Sequence, residues 1–198
     1  MRSAAQIISY EIPLGLSILL PVLVVGSLEM SEIVAWQAEH RWFILHSPFT
    51  FIAFFIFFIS GLAETNRTPF DIPEAESELV AGWMTEYSGF RWSLFFLSEY
   101  TNMLIISLIA SFIFLGGWGS PLTFINIIPD NYMFLEGPIF GFFWLFIKAI
   151  LLIFVMMWFR WTFPRLRVDQ LMYLCWKVFI PFALFNILAV GIWEIFLG

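Results

Sequence analysis

Residues 63–100 read AETNRTPFDIPEAESELVAGWMTEYSGFRWSLFFLSEY. Glu64, Asp71, Glu74, Glu76, Glu78, Glu86 and Glu99 supply seven of the chain's fifteen acids here, set between two strongly apolar stretches. Carboxylates at the edge of hydrocarbon are costly, so their default reading is a functional site, often a proton or ion path. The stretch thereby divides the fold: apolar helices on either side cross a bilayer, and the acids gather at one of its faces.

The rest of the chain agrees. It is 61% hydrophobic and only 12% charged, with 26 phenylalanines, and its mean hydropathy is +0.90. A soluble domain carries about 25% charged residues, so this is an integral membrane protein. The net charge of −6 comes largely from the acidic loop and its flanks. No basic run or aromatic–basic platform accompanies it, which argues against a nucleic-acid partner. The single cysteine, Cys175, excludes an internal disulfide or a cysteine-ligated cluster within this chain. The apolar run before Glu11 is too short for a cleavable signal peptide.

Five apolar stretches, near 7–26, 46–63, 92–117, 138–161 and 175–197, approach the roughly 20 residues a spanning helix needs. They lack the strict alternation of a barrel strand. The expected fold is an all-α integral membrane protein, one membrane domain over 1–198 with about five transmembrane helices. An acidic loop carrying a short helix lies on one side. Pro13, Gly15 and Pro21 predict a bent or irregular first helix, and residues 27–45 have room for a short surface helix. With five spans, Arg2, Arg67, Arg91, Arg160, Arg165 and Arg167 share the side of Met1, side A, and Arg41 stands alone on side B. The positive-inside rule then puts side A in the cytoplasm or matrix, together with the acidic loop.

Asp71-Ile72-Pro73-Glu74 has the spacing of a helix start, with Asp71 as cap and Pro73 in the first turn. Capping alone leaves Glu76 and Glu78 unexplained. Glu74 and Glu78 are four apart on one helix face, where like charges repel. Three carboxylates on one short helix should raise one another's pKa values and take up protons near neutrality. Glu11, Glu64 and Glu99 fall at or inside the side A ends of the first three spans, where a neutral or paired carboxyl is expected. Lys148 lies about ten residues into the fourth span, roughly 15 Å along it. It needs a carboxylate or a water cavity, and Glu99 is the natural candidate partner. Arg160, Arg165 and Arg167 form a membrane-surface anchor or a site for an acidic partner, offset by Asp169. His40 and His46 have no third ligand for a metal. No phosphate loop, nucleophile elbow or metal-ligand spacing gives this chain redox or hydrolytic chemistry of its own.

The same residues carry a family likeness. AETNRTPFDIPEAESELVAG, TEYSG and LSEYTNM, with RSAAQIISYE at 2–11, FLGGW at 114–118 and PRLRVDQLMYLCWKVFIP at 164–181, resemble the quinone-site membrane subunit of respiratory complex I. This is the subunit 1/H type of NADH:quinone oxidoreductase. Members of that family are longer, and this chain matches their C-terminal portion, which points to a split mitochondrial subunit whose first helices come from a separate chain. The resemblance implies that Glu64, Arg67, Asp71, Glu74, Glu76, Glu78 and Glu86 lie on the loop beside the quinone cavity. Glu11 and Glu99 would belong to the acidic path leading away from it, with Lys148 added by its depth, and Arg160, Arg165 and Asp169 to the matrix side. It implies ubiquinone as the complex's substrate, with NADH, FMN and iron–sulfur clusters in partner subunits and none bound here. Partners would be iron–sulfur quinone-module subunits, small and antiporter-like membrane subunits, and lipid. The location would be the mitochondrial inner membrane, or alternatively the bacterial plasma membrane. Gly82 and Gly89 would let the later part of the loop move. Other readings are the equivalent subunit of a membrane-bound hydrogenase, a structural anchor, or a self-contained ion channel; the last lacks polar lining towards side B.

Overall fold

The computed structural model describes residues 2–71, 86–121 and 137–197. The described residues are helical throughout, joined by short loops. Helix α1 runs Arg2–Val25, α2 Met30–Glu39, α3 Phe43–His46, α4 Pro48–Glu64, α5 Phe90–Phe114 and α6 Pro138–Thr162. The last element starts as α7, Val168–Tyr173, widens to a π-helical turn over Leu174–Phe179, and continues as α8, Ile180–Leu197. Among the described residues, four helical stretches are long and apolar enough to cross a membrane: Gln6–Val25, Phe90–Phe114, Ile139–Thr162 and Val168–Phe196. The expected second span is the shorter α4, at 17 residues. It makes up in burial what it lacks in length, because Ala53, Phe54, Phe57, Phe58, Leu62 and Ala63 are all in the core. The chain is a multi-pass membrane protein.

Local chemistry sets the helix ends. Ser47 caps α4, its hydroxyl accepting from the Thr50 amide, and Pro48 occupies the first turn, where its missing N–H costs nothing. Gly89, at φ +62, opens α5. Helix α1 continues unbroken through Pro13 and Pro21. Pro13 cannot donate to the Ser9 carbonyl four residues back. That carbonyl instead accepts from the Cys175 thiol at 2.8 Å, while the Trp176 indole N–H donates to the Ser9 hydroxyl at 3.1 Å. The orphan carbonyl in α1 is thus taken up by the π turn, which sits just before Pro181.

Helix α1 packs on α4 and α8, and α5 on α6. Successive long elements run in alternate directions, as the contacts at their ends require. On side A, Gln6 near the start of α1 reaches residues just past the end of α4. On side B, His46 before α4 meets Glu194 near the end of α8. The surface helix expected in 27–45 is α2, followed by the single turn α3, and both lie on side B.

Candidate functional site

The loop after α4 turns its one cation inward. The Arg67 guanidinium lies 2.9 Å from a Glu99 carboxylate oxygen on α5, with side chains only 8% and 14% exposed. The Tyr100 and Phe96 rings, one residue after Glu99 and three before it, flank the guanidinium at 4.6 and 5.2 Å from their centroids. Helical geometry explains why these three meet it: residues three and four apart share a face. Arg67 is therefore boxed by one carboxylate and two rings. The loop around it is tied down from two directions. The Gln6 side-chain amide donates to the carbonyls of Ala63 and Phe70 and to Asn66 Oδ1, and the Tyr10 ring meets Phe70 edge-on at 5.6 Å. From the far side, Arg165 Nη2 donates to an Asp71 carboxylate oxygen at 3.0 Å and Arg165 also donates to the Asp71 carbonyl. The Leu166 amide adds a bond to the Pro69 carbonyl. Helices α1 and α5 and the segment just after α6 thus converge on residues 65–71.

The expected site residues divide around this junction. Arg67, Glu99, Asp71 and Arg165 are brought together as two ion pairs. Glu11 and Glu64 are exposed, on α1 and at the end of α4. Glu86 is exposed just before α5. Arg160 is half-buried in the last turn of α6, Asp169 is exposed in the first turn of α7, and neither forms an ion pair among the described residues. Glu74, Glu76 and Glu78, and with them the expected short acidic helix and Gly82, lie outside the described residues.

The expected pairing of Lys148 with Glu99 is not found. Lys148 donates to the carbonyls of Leu115, Gly117 and Gly119, at 2.7, 2.9 and 2.7 Å, with the Trp42 ring 4.5 Å away. The reason is the length of α5. Sixteen residues of helix separate Glu99 from Leu115, about 24 Å at 1.5 Å per residue. Glu99 stands near the side A end of α5 and Lys148 beside its side B end.

A family model described as NADH dehydrogenase matches residues 1–191. The chain belongs to the NADH dehydrogenase family. This is the complex I subunit 1/H family that the quoted motifs resemble. Among its relatives, the NADH-quinone oxidoreductase H subunit of Chlorobaculum tepidum is 52% identical over 199 residues, covering 98% of this chain and 55% of the relative. The corresponding H subunits of Bacteroides thetaiotaomicron and of Geobacillus sp. (strain WCH70) are 50% and 51% identical, covering 96% and 97% of this chain and 52% and 53% of the relatives. The chain spans about half the length of the curated relatives it matches.

Within this NADH dehydrogenase family member, three polar residues that sequence reasoning passed over hold the site's frame. Gln6 anchors the junction loop, as above. Gln37 on α2 is buried at 2% exposure. Its amide donates to the Phe112 and Ile113 carbonyls at 2.9 and 3.1 Å, and its oxygen accepts from the Gly116 and Phe43 amides at 2.9 and 3.4 Å. It thereby closes the side B end of α5. The third is Glu194, which accepts or shares a proton with His46 Nε2 at 2.8 Å. A glutamine between apolar neighbours was the available signal in the first two cases, since a buried amide must find partners.

Proposed function

We propose that this chain serves as the core membrane subunit of a proton-pumping NADH:quinone oxidoreductase, with the side A junction beside the quinone cavity. The observation that carries the reading is the boxed Arg67–Glu99 pair. Protonating Glu99 removes the counter-charge of a cation that has almost no access to water, and a buried cation left alone is strongly unfavourable. The loop bearing Arg67 must then shift or find another carboxylate. Because the same loop carries Asp71, held by Arg165, a proton gained at Glu99 is felt at a second ion pair. A chain of carboxylates passes on such changes because each proton alters its neighbours' affinity. In this reading Glu64, Asp71, Glu74, Glu76, Glu78 and Glu86 line the loop beside the quinone. Glu11 and Glu99 lead charge away from it, and Arg160 and Asp169 serve the side A surface.

The substrate of the complex would be a quinone, ubiquinone in the mitochondrial case. NADH, FMN and iron–sulfur clusters would sit in partner subunits on side A. Small and antiporter-like membrane subunits would adjoin this one, together with the remaining length found in the relatives, in the same or a separate polypeptide. The bacterial sources of the relatives favour the bacterial plasma membrane over the mitochondrial inner membrane. Their names, all of the NADH-quinone oxidoreductase type, favour quinone reduction over a hydrogenase role. Purification in mild detergent through a tag on this chain, with mass spectrometry of what accompanies it, tests the assignment. Iron–sulfur and antiporter-like subunits are expected; hydrogenase subunits, or the chain alone, would overturn it.

A further inference from the structure

We propose that the loop 115–119 is a cage for a monovalent cation, filled by the Lys148 ammonium, and that Lys148 is a fixed positioning charge rather than a carrier of protons. The proposal rests on the function above, because turnover is its readout.

Lysine offers three N–H donors and no acceptor. All three are spent on backbone carbonyls, those of Leu115, Gly117 and Gly119. A relay needs a neighbour that can take or give a proton, and amide carbonyls do neither at accessible pH. Among the described residues no carboxylate lies within ion-pair distance of Lys148. The Trp42 ring covers another side of the ammonium, and the residue is 7% exposed.

The cage is built for this occupant. Leu115 caps α5, where the negative end of the helix dipole lies, and the Gly117 and Gly119 carbonyls follow just beyond it. Gly116 and Gly117 adopt φ of +73 and +51, which turn the chain so that its carbonyls converge. A Cβ at Gly116 would lie 2.4 Å from Trp42 Nε1, and one at Gly117 would lie 2.7 Å from a Val34 methyl. The glycines, the tryptophan and the lysine therefore form one unit. Converging carbonyls at 2.7–2.9 Å are what potassium filters offer a dehydrated ion, and ammonium is close to potassium in size. With Gln37 on the neighbouring carbonyls, the filled cage fixes the side B end of the helix whose other end presents Glu99 to Arg67.

The test uses the assembled, detergent-solubilised complex carrying K148A or K148R, with NADH:quinone turnover measured at equal ionic strength in choline, potassium or ammonium chloride. Emptying the cage leaves the buried Gly117 carbonyl and the part-buried Leu115 and Gly119 carbonyls without their donor, which lowers the ordered loop's population by about tenfold. K148A is therefore expected to lose turnover in choline and to regain it with either potassium or ammonium. The planar guanidinium of K148R does not match an ammonium-sized cage of three carbonyls, so K148R is expected to lose turnover and not to regain it with potassium. Rescue by ammonium but not potassium would overturn the proposal, as would full K148A activity in choline. Should K148A not assemble in choline, assembly itself decides: a complex recovered when potassium or ammonium is present throughout purification supports the cage, and one recovered with neither overturns it. A wild-type complex without NADH:quinone turnover would instead sink the functional reading beneath it.

Discussion

Neutralising Glu99 and Arg67 singly and together exposes how much of the side A junction depends on their pairing. In E99Q the Arg67 guanidinium, 8% exposed, loses its counter-charge but keeps the Phe96 and Tyr100 faces. Breaking a buried pair from one side costs about 3–5 kcal/mol, less here because the introduced amide oxygen can still accept from the guanidinium. A net loss of about 2–3 kcal/mol follows. R67M strands Glu99, 14% exposed, and discards the ring contacts as well, for about 3–4 kcal/mol. The double variant strands neither charge and loses mainly the ring contacts, about 1–2 kcal/mol. It should fall short of the additive sum by about 3 kcal/mol or more, at or above the upper end of measured couplings. The assay is the thermal inactivation rate of the assembled complex, where about 1.4 kcal/mol corresponds to tenfold. The double variant should inactivate no faster than R67M. Additive rates would refute the pairing.

Three further outcomes are expected. A Cβ on Gly61 would sit 2.6 Å from Ile106 Cγ2, so G61A should destabilise the α4–α5 contact by about 1–3 kcal/mol; I106A alone should cost about 2–5 kcal/mol, and the double variant, by inactivation rate, should lose less than the sum of the two. Q37L leaves the Phe112 and Ile113 carbonyls without the Gln37 amide, at about 1–3 kcal/mol for each buried group left unsatisfied, and should lower the amount of assembled complex on native gels. R165M, removing a partly exposed partner of Asp71, should cost only about 1 kcal/mol of stability. It should lower turnover out of proportion to that loss, because the loop is released from the segment after α6; turnover that merely follows assembly would contradict this.

Much of this was legible in the sequence because the bilayer is a demanding solvent. Apolar length located the spans, and the residues just after the second span, Arg67 and Asp71, prove to sit in two ion pairs with Glu99 and Arg165. The short α4 was readable as a span from composition alone, while its burial depends on neighbours that hydropathy does not report. Arg67 and Glu99 were each singled out, but their pairing joins residues on either side of the acidic loop, and charge type alone did not choose Glu99 over six other acids. Lys148 shows the opposite failure. Reading depth from one helix suggested a carboxylate partner, whereas counting along α5 separates Glu99 from Lys148 by most of a membrane. Its true partners are backbone carbonyls, which every residue possesses and no side-chain pattern advertises. Gln6 and Gln37 were passed over for a related reason, since amides carry no charge and bond mostly to backbone here.

The most direct test of the coupling role of the Arg67–Glu99 pair is proton translocation by E99Q complex in proteoliposomes, with NADH:quinone turnover and NADH oxidation by a water-soluble artificial acceptor measured on the same preparation. The account predicts an assembled complex that oxidises NADH with the artificial acceptor while quinone turnover and pumping fall together. An assembled E99Q complex that reduces quinone and pumps at the wild-type rate would contradict it.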